Sequence, residues 1–220
     1  HAVVSLFIPG QDPIHKVTII PRGRALGLTF SLPDEDRHNH TKEYILGRLA
    51  MAFGGRVAEE LIFGGEKITT GAAQDIQQAT AMARRMVTEF GMSDAVGPVA
   101  VGETEHQIFL GKEVGQHRDV SEKTAELVDT EVRRILDEAY ERAELILNEK
   151  IEVLHAVAAA LLERETIDRR EVELLKEGKK LPPKVPAVVA EDDGKPKLSS
   201  PSSQPGRGIL GTPGAEPAGA

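Results

Sequence analysis

The helical character of the chain is most evident in the stretch Thr70-Gly-Ala-Ala-Gln-Asp-Ile-Gln-Gln-Ala-Thr80, which continues to Phe90. Thr70 is a favourable N-cap residue, because its hydroxyl can accept a hydrogen bond from the first turn. Apolar residues then recur at helical spacing: Ile76, Ala79, Ala83, Met86, Val87 and Phe90. Gly91 follows, where helices commonly end on a glycine. We therefore predict a helix from Thr70 to Phe90.

Four further helices are predicted from capping residues and apolar spacing. They span residues 41–62, 121–148, 151–163 and a short segment capped by Thr166. Gly54-Gly55 are expected to interrupt the first of these helices, and Gly64-Gly65 to end it. The β-branched segments 16–20 and 27–32 predict a small hairpin or sheet edge. The fold class is therefore mainly α, with a small β element near the N-terminus.

The composition changes after Leu181, where Pro, Gly, Ser and Ala dominate and the apolar periodicity ends. Such a segment buries too little apolar surface to offset the entropy of ordering it. We therefore predict a folded domain over residues 1–183 and a disordered tail over residues 184–220.

Charge and composition exclude several classes of function. The 220 residues carry 27 Lys and Arg against 35 Asp and Glu, a net charge of −8. An acidic surface repels phosphate backbones, so nucleic acid is not expected as a partner. The chain has no Cys, so any metal must be held by His, Asp or Glu. No P-loop motif occurs, so no ATP site of that type is expected within the chain.

The first residue, His1, predicts that the chain is a fragment of a longer protein. An initiator Met is normally removed only before a small residue, and His is not small. We therefore expect the natural N-terminus to lie upstream.

Asp75 and Glu59 are the acidic residues with two possible interpretations. Asp75 lies near the start of the predicted 70–90 helix, where the helix dipole favours any acid. That interpretation is favoured by the residues alone. Because Asp75 also heads a partly apolar row, the alternative is a carboxylate directed into a site and paired with a cation or a metal. Glu59 and Glu60 follow Gly54-Gly-Arg-Val-Ala58. Their own pattern favours a solvated pair, with Arg56 near enough to bind one of them.

Four stretches, in this order, resemble the peptidase domain of FtsH-type ATP-dependent zinc metalloproteases. They are His15-Lys-Val-Thr-Ile-Ile-Pro-Arg-Gly-Arg24 with the following Leu-Gly-Leu-Thr, Gly54-Gly-Arg-Val-Ala-Glu-Glu60, Thr70–Thr80 with the following Met-Val-Thr-Glu-Phe-Gly-Met-Ser, and Phe109-Leu-Gly-Lys with Gln116-His-Arg-Asp-Val-Ser-Glu122. Each stretch alone is weak evidence, but the four in order are specific. The resemblance extends from residue 1 to about residue 183.

The resemblance implies a zinc site. In that family a helix carries H-E-x-x-H, whose two histidines share one helix face and bind one metal while the Glu activates water. His1 matches the second histidine, so the catalytic Glu is expected upstream of His1 and none within this chain. The family's third ligand, an Asp on a later helix, matches Asp75. Glu59 matches an acidic position near the site, where we expect it to hydrogen-bond a ligand histidine.

The resemblance also implies the setting of the parent protein. The parent would be a homo-hexamer in the bacterial inner membrane, held by an N-terminal anchor, with its peptidase domains on the cytoplasmic side. An ATPase domain outside this chain would bind ATP and thread unfolded polypeptides to zinc-dependent peptidase sites. The fragment alone is expected to be inactive. The alternative is a non-catalytic helical oligomerisation or scaffold module, which the long amphipathic helices would also suit.

Overall fold

The computed structural model describes residues 1–21, 27–32, 39–101 and 120–183. Its helices are α1 (Ala2–Phe7), α2 (Lys42–Phe63), α3 (Ala73–Thr88), α4 (Glu122–Glu149), α5 (Ile151–Arg164) and α6 (Arg169–Lys176). Its strands are β1 (Ile14–Thr18), β2 (Leu28–Ser31) and β3 (Thr166–Asp168). Two 3-10 turns, Gly65–Lys67 and Thr70–Ala72, connect α2 to α3. The prediction of a mainly helical fold is confirmed, whereas the predicted disordered tail lies outside the described residues.

The strands form an antiparallel sheet in the order β2-β1-β3. The predicted hairpin near the N-terminus is confirmed as β1 and β2, with Val17 opposite Thr29. The third strand was not predicted. Val17 also pairs with Ile167, and Ile167 is fully buried against the core. The sheet therefore ties the start of the domain to its C-terminal helices.

Helix α2 is the central element, and it packs against α1, α3 and α4. Leu49 and Val57 of α2 are almost completely buried, as are Met86 of α3 and Leu147 of α4. Burial of each such side chain stabilises the fold by about 1.5–3 kcal/mol. Because one helix contacts three others, it fixes the positions of α1 and α3 relative to each other. These are the two helices that carry the predicted metal ligands.

Two helix predictions are wrong in detail. Gly54-Gly55 do not interrupt α2, which runs unbroken from Lys42 to Phe63. Helix α3 begins at Ala73 rather than after Thr70, because a 3-10 turn capped by the Thr69 side chain precedes it. The caps at Thr41 and Ser121 are confirmed, since each side chain accepts a backbone N–H three residues later.

The last helix also differs from its prediction. Thr166 is the first residue of β3, and α6 is capped by Asp168 instead. Asp168 and Glu171 form a reciprocal capping box, in which each side chain accepts the other residue's backbone N–H. Among the described residues, no helix is both long and apolar enough to cross a lipid bilayer.

A buried acid on α4 holds the segment that follows α3. The Glu131 carboxylate accepts a hydrogen bond from Ser93 at 2.7 Å and two from Arg134 at 3.0 Å. Glu131 and Ser93 are both buried. The hydrogen bonds from Arg134, and then that from Ser93, lower the pKa of Glu131. The acid is therefore ionised at neutral pH, and α4 holds the chain beyond α3 through charge-assisted bonds.

Glu131→Gln should lower the free energy of unfolding at neutral pH by about 1–3 kcal/mol, since a buried charge-assisted interaction is lost. A group whose pKa is depressed by folding stabilises the protein above its unfolded value and loses that effect as the pH falls. The difference between variant and parent should therefore shrink below pH 4.5, the ordinary value of this carboxyl. Urea unfolding at two pH values measures both effects. Glu138→Gln is the matched control, because Glu138 binds the same Arg134 from an exposed position.

Candidate metal centre

His1 lies at the start of α1 and against α2, where two glycines make room for it. A Cβ added at Gly55 would lie 2.7 Å from the His1 Nε2 atom, and one at Gly54 would lie 2.9 Å from the His1 backbone nitrogen. Real Cβ atoms do not approach other atoms so closely. The two glycines therefore allow His1 to pack closely against α2. The prediction that they break the helix is wrong, because α2 is continuous through them.

A backbone carbonyl of α2 orients the His1 ring. The Nδ1 atom of His1 lies 2.8 Å from the carbonyl oxygen of Met51. Because a carbonyl oxygen can only accept, Nδ1 is the donor and carries the hydrogen. In a neutral imidazole the Nε2 atom then has a free lone pair. In many metal-binding histidines, the ring nitrogen that does not face the metal donates to a backbone oxygen in this way, and this hydrogen bond fixes the tautomer.

The Nε2 atom of His1 lies 3.4 Å from the Oδ2 atom of Asp75. The structure thus brings together the two residues that the resemblance implies as metal ligands. Both side chains are about one-third exposed, 36% for His1 and 37% for Asp75, so solvent reaches the pair. With neutral His1, two lone-pair atoms would face each other. A cation between the two atoms, either a proton on the imidazole or a metal ion, would make their contact favourable.

The separation fits a tetrahedral zinc ion. With Zn–N of about 2.0–2.1 Å, Zn–O of about 2.0–2.2 Å and tetrahedral angles, the two donor atoms would be about 3.4 Å apart. Imidazole and carboxylate are also donors that zinc accepts. Among the described residues, however, no group of three His, Cys, Asp or Glu side chains is placed to hold a metal. At this point the described part of the chain offers two possible donors, His1 and Asp75.

Glu59 lies on α2 near this pair, but its hydrogen bonds run elsewhere. Its carboxylate accepts from the Thr69 hydroxyl at 2.6 Å, from the Thr69 N–H at 3.3 Å and from Arg56 at 3.2 Å. The Thr69 hydroxyl, followed by its N–H, lowers the pKa of Glu59. Within the described residues Glu59 makes no hydrogen bond to His1. Its expected bond to a ligand histidine stays a prediction for a histidine upstream.

The adjacent acid, Glu60, is not the solvated residue that its pattern favours. Glu60 accepts a hydrogen bond from the Tyr140 hydroxyl of α4, and the Tyr140 ring meets Phe53 edge-on with centroids 5.6 Å apart. Burial, together with the Glu60 hydrogen bond, raises the pKa of Tyr140, which stays a neutral donor. These contacts attach the C-terminal half of α2 to α4.

Sequence reasoning missed three parts of this centre: the Met51 carbonyl, the two glycines that accommodate His1, and Thr69. The carbonyl leaves no trace in the sequence, since every residue has one. The glycines were visible, and a glycine pair within an otherwise continuous helical pattern is itself a signal of close approach. Thr69 was overshadowed by Thr70, which has the same capping chemistry one residue later.

Comparison with known proteins places the chain in a family. The profile of peptidase family M41 matches residues 1–175. The chain belongs to this family of peptidases.

Individual relatives agree with this assignment. The ATP-dependent zinc metalloprotease FtsH of Acidobacterium capsulatum is 50% identical over 213 residues, covering 96% of this chain and 33% of the relative. The protein of the same name from Magnetococcus marinus is 56% identical over 172 residues, covering 78% of this chain and 25% of the relative. That of Caulobacter vibrioides is 48% identical over 184 residues, covering 84% and 29%. The chain thus spans a third or less of the length of these relatives.

Proposed function

We propose that this chain is the peptidase domain of an ATP-dependent zinc metalloprotease, with His1 and Asp75 as two of its zinc ligands. The observation that carries the proposal is the 3.4 Å separation of two acceptor atoms, with the histidine tautomer set by Met51. A protonated His1 would make this contact an ion pair that a scaffold could also hold, and the match to a peptidase family is what favours a metal. The sequence similarity to FtsH proteins supports the same conclusion.

The remaining ligand and the general base are assigned upstream of His1. The His1 carbonyl accepts the Ser5 N–H at 3.0 Å, so the hydrogen bonding of α1 already includes His1. A helix continued upstream would place residues four positions apart on one face. The first His of H-E-x-x-H would therefore share a face with His1, and its Glu would lie beside the site.

Zinc bound at this site would lower the pKa of a water molecule and polarise the scissile carbonyl. The residues of this chain serve that chemistry by holding two donors at a fixed distance. Gly55 and Met51 set the position of the imidazole, and Asp75 supplies negative charge. The upstream Glu would take the proton from the water as the general base.

The substrate is proposed to be an unfolded polypeptide in extended form. Strand β2 is one of the two edge strands of the described sheet, and Leu28, Phe30 and nearby Leu32 are partly exposed. An extended peptide can pair with such an edge through backbone hydrogen bonds while its side chains occupy apolar positions. Because the pairing uses the peptide backbone, such an edge can bind peptides of many different sequences.

The full-length protein is proposed to be a membrane-anchored homo-hexamer with an ATPase domain that delivers membrane and soluble proteins processively. The names of the relatives, ATP-dependent zinc metalloproteases, support the use of ATP, and the share of their length that this chain leaves uncovered is long enough for an ATPase domain. The anchor, the hexamer and processive degradation rest on the sequence resemblance. Below, the full-length protein is called the intact protease.

Zinc content and cleavage test the proposal. The sequence just upstream of His1 should read His-Glu-x-x. The intact protease should retain about one zinc per chain after dialysis and release labelled peptide from an unfolded protein. The 220-residue chain alone should bind zinc weakly and cleave nothing, because a less complete ligand set binds zinc less tightly and the general base is missing.

Two outcomes would contradict the proposal. A different sequence upstream of His1 would favour the scaffold alternative. An intact protease that is folded and hydrolyses ATP, yet holds no zinc and is unaffected by chelators, would exclude a zinc-dependent peptidase.

A further inference from the structure

Thr69 is held by two side chains of α2 through all of its polar groups. Its hydroxyl donates to Glu59 Oε1 at 2.6 Å, and its N–H donates to Glu59 Oε2 at 3.3 Å. Its carbonyl accepts from Arg56 at 2.8 Å. No other residue in the connection between α2 and α3 is bound in this way among the described contacts. We call Arg56, Glu59 and Thr69 the α2 clamp.

The two α2 side chains of the clamp also bind each other. Arg56 binds the Glu59 carboxylate at 3.2 Å while its second terminal nitrogen binds the Thr69 carbonyl. The Arg56 side chain is only 13% exposed and that of Glu59 25%, so both ends are partly shielded from water. Charge-assisted hydrogen bonds in such surroundings are shorter and stronger than neutral ones. The planar guanidinium suits this double contact, which one ammonium group cannot reproduce.

A short hydrogen-bonded segment connects Thr69 of the clamp to Asp75 on α3. Thr69 accepts the Gly71 N–H at 3.1 Å and thereby caps the 3-10 turn Thr70–Ala72. Ala72 is buried, and α3 starts directly after it. The Ala73 N–H also donates to the Thr70 carbonyl, so hydrogen-bonded turns run from Thr69 into the start of α3. We therefore expect a displacement of Thr69 to move the Asp75 carboxylate as well.

We infer that Arg56 and Thr69 are positioning residues of the metal centre, which hold Asp75 at the distance from His1 that a metal requires. Residues of α2 then determine the positions of both proposed ligands. Gly54, Gly55 and Met51 place His1, and the clamp, beginning at Arg56, places Asp75. This inference rests on the proposed zinc-peptidase function and adds two residues that touch neither metal nor substrate.

The test measures zinc affinity in the intact protease by competition with a chelator. Thr69→Val keeps the side-chain shape but removes the hydroxyl. It should weaken zinc binding by about tenfold, the lower end of the effect of losing a direct partner of a metal ligand, because Thr69 acts on Asp75 only through the turn between them. Thr69→Ser keeps the hydroxyl and should bind zinc like the parent. Arg56→Lys should also weaken binding, because one ammonium group cannot hold both Glu59 and the Thr69 carbonyl.

Thr80→Val is the matched control. Thr80 lies on α3, five residues after Asp75, and its hydroxyl donates only to the Ile76 carbonyl within the same helix. This variant undergoes the same chemical change as Thr69→Val and should keep the affinity of the parent. Melting temperatures of the metal-free proteins separate loss of folding from loss of the site, and the absorption spectrum of the cobalt form reports the coordination geometry.

The outcomes separate this inference from the proposed function. Folded Thr69→Val with the zinc affinity and cobalt spectrum of the parent would overturn the inference alone. So would Thr69→Ser that binds as weakly as Thr69→Val, since the hydroxyl would then not matter. If Thr69→Val does not fold, Arg56→Lys decides by the same measurement. A parent protein that binds no zinc would remove the proposed function and this inference with it.

Discussion

Replacing Asp75 by Asn in the intact protease should remove its zinc and abolish cleavage. The change keeps the shape of the side chain but replaces a carboxylate by a neutral amide, which is a poorer zinc ligand. The Oδ2 atom that faces His1 Nε2 at 3.4 Å would lose its charge. We expect zinc affinity to fall at least about 100-fold, more than for loss of an outer partner. Metal content after dialysis and release of labelled peptide measure the two effects.

Asp129→Asn is the matched control for this experiment. Asp129 lies on α4, pairs with Arg84 at 2.8 Å and is 66% exposed. Exposed ion pairs contribute little to stability, so this variant should keep both zinc and activity. ATP hydrolysis, which the proposal assigns to another domain, should be retained in both variants. If Asp75→Asn kept full zinc and full activity, the ligand assignment would be wrong and Glu59 would be the next candidate.

Some local features of the fold, among them two of the helix caps, were predictable from the sequence. The caps at Thr41 and Ser121 need only a hydroxyl beside a helix start, and both helices begin there. Strand β3 was not predictable in this way. It has three residues, and its pairing partner β1 lies about 150 residues earlier in the chain. A segment so short acquires its conformation from a distant partner rather than from its own propensity.

In the candidate site, too, the contact between residues close in sequence was predictable, whereas the contacts between distant segments were not. His1 and Asp75 are 74 positions apart, and no periodicity connects them. Their proximity was implied only by the resemblance, because the pattern around Asp75 alone favoured an ordinary acid at a helix start. The pairing of Arg56 with Glu59 was predictable, since residues three apart share a helix face. The contact of both with Thr69 was not, because it depends on how the connection from α2 to α3 folds back.

Gly55→Ala should disable the metal centre while leaving the fold intact. Alanine favours the interior of a helix over glycine by about 1 kcal/mol, so α2 itself should not be weakened. The new methyl group, however, would lie 2.7 Å from His1 Nε2 and 3.1 Å from Cε1. The imidazole is the movable partner, and it would leave its place beside Asp75.

We therefore expect the metal-free variant to melt at or above the temperature of the metal-free parent, and its zinc affinity to be at least about tenfold lower, as for loss of an orienting partner. Gly65→Ala is the control, because a Cβ there meets no atom within 4 Å. It should leave zinc binding and cleavage unchanged. A Gly55→Ala protein with parental zinc affinity would show that the ring does not need the space above Gly55. A metal-free variant that melts below the metal-free parent would instead indicate general damage to the packing of α1 on α2.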